Sequence, residues 1–358
     1  MVGISRGSET IVKPKLLVIE LWGVGDLAIA TPFLRKACEK FEVTLLAKPY
    51  AFDLQSRFWP AVKVVAFNAP WTAFDRKYQL MSWPWRVMFG LWSQLRREKF
   101  DVALSARWDP RDHLLLRLSG AKERMGFPRT GSQGFLTNPL EAPAPLAHRY
   151  EHWRVIARAL GMELESQDRI ALAANARGKV VLIHTGAGQP VRVWPMDRYQ
   201  GVVSKLRAEG WRVRVACNPE QREWWHGAGE KEVATPRSIS ELLHLLEDAG
   251  VFIGNDSGPG HLAAFCGLPT LTLFGPQVPE WFVPLHPASE WIEGKPCPYK
   301  PCSDYCMFAA AHCLGDVQES EAWPRVADFV RRHLGKKEDA ALGGESVAIS
   351  SSANSCNL

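Results

Sequence analysis

No stretch of the 358-residue chain approaches the ~18 consecutive apolar residues that a membrane span needs. The opening MVGISRGSETIVKPK carries charge but no apolar h-region, so no secretory leader is expected, and the cytoplasm is the expected compartment. Strong charge of either sign is missing too. A net charge of +5 and a pI near 8.7 suit anionic small molecules or an anionic membrane surface, and are too weak to argue for nucleic acid. Eight cysteines in so long a chain do not make a secreted disulfide scaffold. Familiar phosphate signatures are absent: there is no G-x-x-x-x-G-K-[ST] loop and no G-x-G-x-x-G, since the G-x-G in WGVGD lacks its third glycine. There is also no Asp-x-Asp pair. No metal and no cofactor is expected.

What is present is the composition of an ordinary globular protein, 46% hydrophobic and 23% charged, at a length that suggests two domains. Two stretches share one layout. In the first, the buried-strand pattern LLVIEL (Leu16 to Leu21) runs into GVGD and then a helix with Ile29, Phe33, Leu34, Ala37 and Phe41 on one face. VTLLA, VKVVAF and DVALSA are further strand candidates. The second stretch runs KVVLIHTG, a helix with Tyr199, Val202, Val203 and Leu206 on one face, WRVRVA, SISELLHLLEDAG, VFIGN, PGHLAAFCG and LPTLTLF. Strands alternating with helices predict an α/β protein of two doubly wound, Rossmann-like parallel sheets. The expected domains are 15–165 and 179–335, with tails at 1–14 and 336–358, a polar linker from about Glu163 to Gly178, and a disordered final segment. On open sheets of this kind, ligands bind beyond the carboxyl ends of the strands. GVGD, HTGAGQPVRVWP and NDSGPGH all fall there and are expected to converge on one inter-domain cleft.

In NDSGPGHLAAF a strand ends near Asn255 and a helix begins near Pro259. Asp256, Ser257 and Gly258 are therefore either an anion site at a helix N-terminus or plain caps. His261 is either a ligand or a satisfied core histidine. HTGAGQPVRVWP offers glycines for close backbone approach and one cation, Arg192, which is either a phosphate ligand or a solvated charge.

GNDSGPGHLAAFCGLPTLTLFGPQ, read with LLVIELWGVGDLAIATPFLRKA, RMGF, GFLTNPL, HRYEHW and HTGAGQPVRVWP in this order, resembles glycosyltransferase family nine. These are the ADP-heptose:lipopolysaccharide heptosyltransferases and their relatives, and the similarity covers roughly Lys15 to Val330. The resemblance implies a GT-B fold, an N-terminal acceptor domain and a C-terminal nucleotide-sugar domain. It also implies inversion at a sugar's anomeric carbon, with a nucleoside diphosphate leaving and a lipid-linked glycan as acceptor. The matching catalytic residues are Asp26, as base, and Arg192, where relatives usually carry a lysine that steadies the leaving phosphate. Asp26 is equally a candidate helix cap, since one carboxylate can do both jobs. Donor contacts are implied for Gly186, Asp256, Ser257, Gly258 and His261. The ribose glutamate of the family is matched loosely by Glu220, one residue early, with Gln221 in its column. The expected activity moves a heptose from ADP-heptose to the inner core of lipopolysaccharide. The alternatives are another family-nine transfer to a different surface glycan, a sugar-nucleotide epimerase or hydrolase, and a binding subunit without catalysis.

Arg107, Asp109 and Arg111 in ARWDPRD are candidate contacts to an acidic acceptor, or else an exposed charged loop. The aromatic stretch with Trp83, Trp85, Phe89 and Trp92 beside Arg86, Arg96 and Arg97 fits either a peripheral contact with the inner membrane or a helix packed on its own domain. Cys38, Cys217 and Cys266 lie in apolar runs and are expected in the core. Cys297, Cys302, Cys306 and Cys313 depart from paired zinc spacing, which leaves zinc or free thiols.

Overall fold

The computed structural model describes residues 12–73, 79–167, 178–302, 306–309 and 311–335. The expected C-terminal tail, most of the N-terminal one and residues 168–177 of the expected linker lie outside the described residues. The first half of the chain runs β1 (Lys15–Glu20), α1 (Val24–Lys40), β2 (Glu42–Ala47), α2 (Ala51–Phe58), β3 (Lys63–Ala66), α3 (Trp85–Glu98), β4 (Val102–Leu104), α4 (Pro110–Ser119), β5 (Glu123–Gly126), β6 (Asn138–Pro139) and α5 (Arg149–Ala159). The second half runs β7 (Val180–His184), α6 (Met196–Ala208), β8 (Arg212–Ala216), α7 (Arg222–Gly227), α8 (Ile239–Glu247), β9 (Ala249–Asn255), α9 (Gly258–Phe265), β10 (Thr270–Phe274), α10 (Pro279–Phe282), β11 (Ser289–Glu293), α11 (His312–Gly315) and α12 (Glu319–Leu334).

Each half builds its own all-parallel sheet, as the alternating pattern predicts. The first has order β3-β2-β1-β4-β5-β6 and the second β11-β10-β9-β7-β8. The central strands read as unbroken apolar runs because helices cover both faces: β1 is buried from Leu16 to Glu20 and β7 throughout. Strand order reverses between β1 and β4 in one sheet and between β7 and β9 in the other. Those two reversals are where the ends of neighbouring strands leave a crevice.

Three apolar clusters hold the molecule together. One lies on the outer side of each sheet. The third runs through the middle, joining Phe33, Leu54 and Phe58 of the first half to Leu243, Leu262 and Phe265 of the second. Phe58 meets Phe265 edge to face at 6.4 Å, and Arg57 pairs with Glu247 at 2.6 Å beside them. Helix α1 is buried over five consecutive residues, Leu27–Thr31, more than one amphipathic face allows, because it is covered by both halves. This is the GT-B arrangement, two Rossmann-like domains across a cleft.

Strands β5, β6 and β11 are absent from the sequence-based expectation. β6 is two residues long and contains a proline, and β11 (SEWIE) is a half-exposed edge carrying two glutamates, so neither has an apolar run to read. Helix α1 also begins earlier than its apolar pattern, with Gly23 at the N-cap and Asp26 in the first turn.

Candidate active site

A cleft of about 1140 Å³ opens between the two halves, lined by the loops after β1, β4, β7 and β9. The switch points therefore put Asp26 and Arg107 on one wall and Gly186, Arg192, Asp256, Ser257, Gly258 and His261 on the other. Helices α1 and α9 meet N-terminus to N-terminus across it. A Cβ on Gly258 would lie 2.0 Å from Val24 Cγ1, and one on Gly25 would lie 2.7 Å from His261 Cδ2, so both glycines are required by contact. Gly186 is constrained in the same way, its Cβ position lying 2.1 Å from Asn218 Oδ1.

On the first wall, Asp26 is not the cap of α1 but its third helical residue. Its Oδ2 accepts the Gly23 N–H at 3.0 Å and a guanidinium N–H of Arg107 at 2.9 Å. Arg107 lies over the Trp22 ring at 5.0 Å, and the Trp22 and Trp71 indoles donate to the two oxygens of buried Asp112 at 3.1 and 3.2 Å. Burial, then the Asp109 charge, pushes the Asp112 carboxyl up to about 7 against those two hydrogen bonds. Asp109 caps α4, accepting the Arg111 N–H at 2.8 Å, and holds the Arg111 guanidinium at 2.6 and 2.9 Å. Arg107, Asp109 and Arg111 all line the cleft, so ARWDPRD is an ordered part of the wall and not a solvated loop.

His113 fastens this wall. Its Nε2 faces the Arg107 carbonyl at 3.0 Å, which can only accept, so Nε2 carries the proton and Nδ1 accepts from Ser132 Oγ at 2.8 Å. Ser132 Oγ in turn accepts the Arg129 N–H at 3.0 Å, tying the Arg129 loop to the Arg107 loop. Arg149, at the start of α5, lies 3.8 Å over the Trp108 ring and 5.1 Å from that of Trp281 in the other half. Burial and then the Arg107 charge lower the Arg149 guanidinium to about 10.

The second wall is built to donate. Ser257 occupies the N-cap of α9 but its hydroxyl bonds back to the Asn255 carbonyl at 3.2 Å, leaving the first turn without a side-chain cap. Asp256 does not cap either. It faces Arg192 at 3.4 Å, and burial, opposed by the Arg192 charge, raises it to about 6. Arg192 sits in a one-turn 3-10 helix (Pro190–Arg192), and among the described residues its buried Nε has no acceptor. Burial lowers His261 to about 4 despite the pull of Asp26, so it is a neutral imidazole, and its Nδ1 has no partner among the described residues. Asn255 points away from the cleft. It accepts from the Trp194 N–H and the Tyr199 hydroxyl and donates to the Thr185 carbonyl, fixing the loops after β7 and β9 to each other.

Glu220 is exposed, outside the cleft lining, and accepts from Asn218 Nδ2 at 2.9 Å. Its neighbour Gln221 turns inward to Thr185 and Met196. Cys297, Cys302 and Cys313 are free thiols, and among the described residues no group of His, Cys, Asp or Glu is placed to hold a metal. Cys217 is buried as expected, while Cys38 and Cys266 are half-buried. The sequence reading missed Lys48, Arg129, Arg149 and Gln277 in the cleft wall; Arg149 and Gln277 stand inside the stretches HRYEHW and GNDSGPGHLAAFCGLPTLTLFGPQ but were given no role there.

Residues 88–308 match the family described as glycosyltransferase family 9 (heptosyltransferase). Lipopolysaccharide heptosyltransferase 3 of Escherichia coli (strain K12) is 31% identical over 112 residues, 29% of this chain and 33% of its own. Lipopolysaccharide heptosyltransferase 1 of Pseudomonas aeruginosa is 28% identical over 227 residues, 58% of this chain and 63% of its own. The chain thus spans from a third to just under two thirds of these relatives. The structure of E. coli heptosyltransferase WaaC with ADP superposes with a TM-score of 0.68 at 16% identity, covering 88% of this chain and 99% of that one. No helix among the described residues is long and apolar enough to cross a membrane. With most of both domains inside the family match, the chain belongs to glycosyltransferase family 9, the heptosyltransferase family.

Proposed function

We propose that this chain is an inverting glycosyltransferase that moves a heptose from ADP-heptose onto the inner core of lipopolysaccharide. The observation that carries this reading is the opposition of two helix N-termini. Asp26 on α1 faces the uncapped first turn of α9 across a contact that only glycine permits.

Asp26 accepts the proton of the acceptor hydroxyl as that oxygen attacks the anomeric carbon from the first wall. The bond to the departing ADP breaks on the other side. The negative charge that grows on its phosphate is taken by Arg192 and the N–H groups at the start of α9. Neutral His261 contributes a hydrogen bond and no charge. Gly186 lets the donor approach the backbone. Arg107 orients Asp26, and Arg111 with Asp109 faces the acidic sugar of the acceptor. With these donors in place the reaction runs without a metal.

The acceptor is lipid-linked, and we place the enzyme on the cytoplasmic face of the inner membrane. Support comes from an aromatic chain that starts in the cleft wall. Trp71 meets Trp83 at 5.6 Å, Trp83 meets Trp85 at 5.6 Å, and Trp85 meets Phe89 at 6.4 Å. It ends at a surface where Leu80, Met81, Trp85, Val87 and Phe89 are exposed beside Arg86, Arg96 and Arg97, while Met88, Leu91 and Leu95 pack α3 inward. Aromatic and aliphatic side chains flanked by cations suit an anionic headgroup layer.

The test is transfer in vitro. ADP-heptose and a heptose-free lipopolysaccharide core are incubated with the protein, and ADP release and the mass of the glycolipid are followed. Equal numbers of ADP released and heptoses added support the reading. Transfer from a UDP-sugar but not from ADP-heptose replaces the donor, and ADP release without a heavier glycolipid makes the protein a hydrolase.

A further inference from the structure

Behind the first wall lies a carboxylate to which the proposed reaction assigns no role. Glu20 is the last residue of β1, is 3% exposed and is not part of the cleft lining. Among the described residues its one hydrogen bond is a long one, from the Trp22 N–H at 3.3 Å, and it forms no ion pair. An ionised carboxylate in that position carries a large desolvation penalty with little to offset it.

Charged groups surround it from every element at this edge of the sheet. Asp26 comes from α1, Arg107 from the loop after β4, and Asp112 from α4. Lys48 follows β2, Tyr50 caps α2, and Arg149 begins α5. The cation whose charge opposes the rise of the Glu20 carboxyl is Arg107, and Arg107 is committed to Asp26 at 2.9 Å. Burial, then the Asp26 charge, raises the Glu20 carboxyl to about 8, with Arg107 opposing.

We propose that Glu20 is a positioning residue that stays protonated in the working enzyme, leaving Arg107 undivided on Asp26, and that its ionisation disables Asp26. The proposal rests on the assignment of Asp26 as the base. With Glu20 neutral, Asp26 is the carboxylate bonded to Arg107 and keeps the orientation set by the Gly23 and Arg107 bonds. When Glu20 loses its proton to solvent, a second anion competes for the same guanidinium and turns it from Asp26.

The test uses the full chain labelled with 13C at Asp and Glu carboxyl carbons, titrated from pH 5 to 10 without substrate. The Glu20 signal is assigned by its loss in Glu20→Gln. The expected result is a Glu20 carboxyl that is still protonated at neutral pH, with the Asp26 signal moving at the same transition in the wild type and not in Glu20→Gln. A Glu20 carboxylate already ionised at pH 6, or an Asp26 signal indifferent to the Glu20 transition, overturns the proposal. Kinetics give an independent readout: kcat/KM of the wild type should fall by about threefold or more above the Glu20 transition, and that alkaline limb should be missing in Glu20→Gln. An alkaline limb shared by both proteins also overturns it. Absence of any transfer, with the coupled titration intact, condemns the proposed reaction and leaves the coupling established.

Discussion

The wall that follows β1 and β4 lines the cleft with two carboxylates, Asp26 and Asp109, and has Glu20 and Asp112 buried behind it, whereas among the described residues the wall that follows β7 and β9 lines it with one, Asp256. Both walls come from the same strand–loop–helix unit at the switch point of a parallel sheet, and each presents a helix N-terminus. In the first, the N-terminus is occupied: Asp26 takes the Gly23 N–H. In the second it is open, because Ser257 turns its hydroxyl back to Asn255. In the proposed reaction the same backbone geometry becomes a site for moving a proton on one side and a site for an anion on the other. The difference lies in one carboxylate placed three residues into a helix.

The largest effect should come from removing that carboxylate. Asp26→Asn preserves shape and the Arg107 neighbour but cannot take a proton, and general bases contribute roughly 10²–10⁴-fold. Turnover of the purified variant should fall by at least about a hundredfold. Retention of more than about a tenth of the wild-type rate, or roughly 1.4 kcal/mol of barrier, counts against a base role.

Next comes the opposite wall. Arg192→Ala and His261→Ala should each raise the Kd for ADP, Arg192→Ala by about tenfold or more because it removes a charge facing the phosphate. Wild-type ADP affinity in both variants would show that the diphosphate does not sit at α9.

A third expectation concerns pH. Asp256 is raised to about 6 by burial, and a bound diphosphate adds negative charge beside it, which favours its protonated form further. Binding should therefore take up protons, and ADP affinity should weaken as pH rises above about 6. The phosphate of ADP titrates as well, so the diagnostic quantity is the difference from Asp256→Asn. Calorimetry in buffers of different ionisation enthalpy reads the uptake, and equal uptake by both proteins removes Asp256 from the account.

How much of this was legible in the sequence follows from what each residue type signals. The two sheets could be read because β1, β7, β9 and β10 are buried on both faces and appear as apolar runs. Asp26, Gly186, Arg192, Asp256, Ser257, Gly258 and His261 stand in glycine-rich loops at strand ends, and the structure gathers them in one cleft. Glu20 was invisible as a site residue because it ends an apolar strand, where one acidic residue looks like a strand terminus. Arg149 was equally hidden, since its setting against Trp108 and Trp281 joins residues from three separate segments. Glu220 went the other way: it stood near a motif position, and its side chain is exposed outside the cleft lining.

The smaller effects sharpen the boundary of the two walls. Trp83→Ala with Trp85→Ala should reduce transfer to a membrane-embedded acceptor by about threefold more than to a detergent-solubilised one, and should weaken binding to anionic vesicles at low salt. Equal loss on both acceptors makes the aromatic chain a packing element. Glu220→Ala should change ADP affinity by less than about twofold, as an exposed side chain outside the cleft. A larger loss brings Glu220 back into the donor site.

The division of labour itself is tested most directly by titrating ADP into Asp26→Asn and Arg192→Ala side by side, in one buffer and at one temperature. The account predicts that Asp26→Asn binds ADP within about twofold of the wild type while Arg192→Ala binds it at least about tenfold more weakly. Weak binding by Asp26→Asn together with wild-type binding by Arg192→Ala would place the diphosphate on the wrong wall and contradict the account.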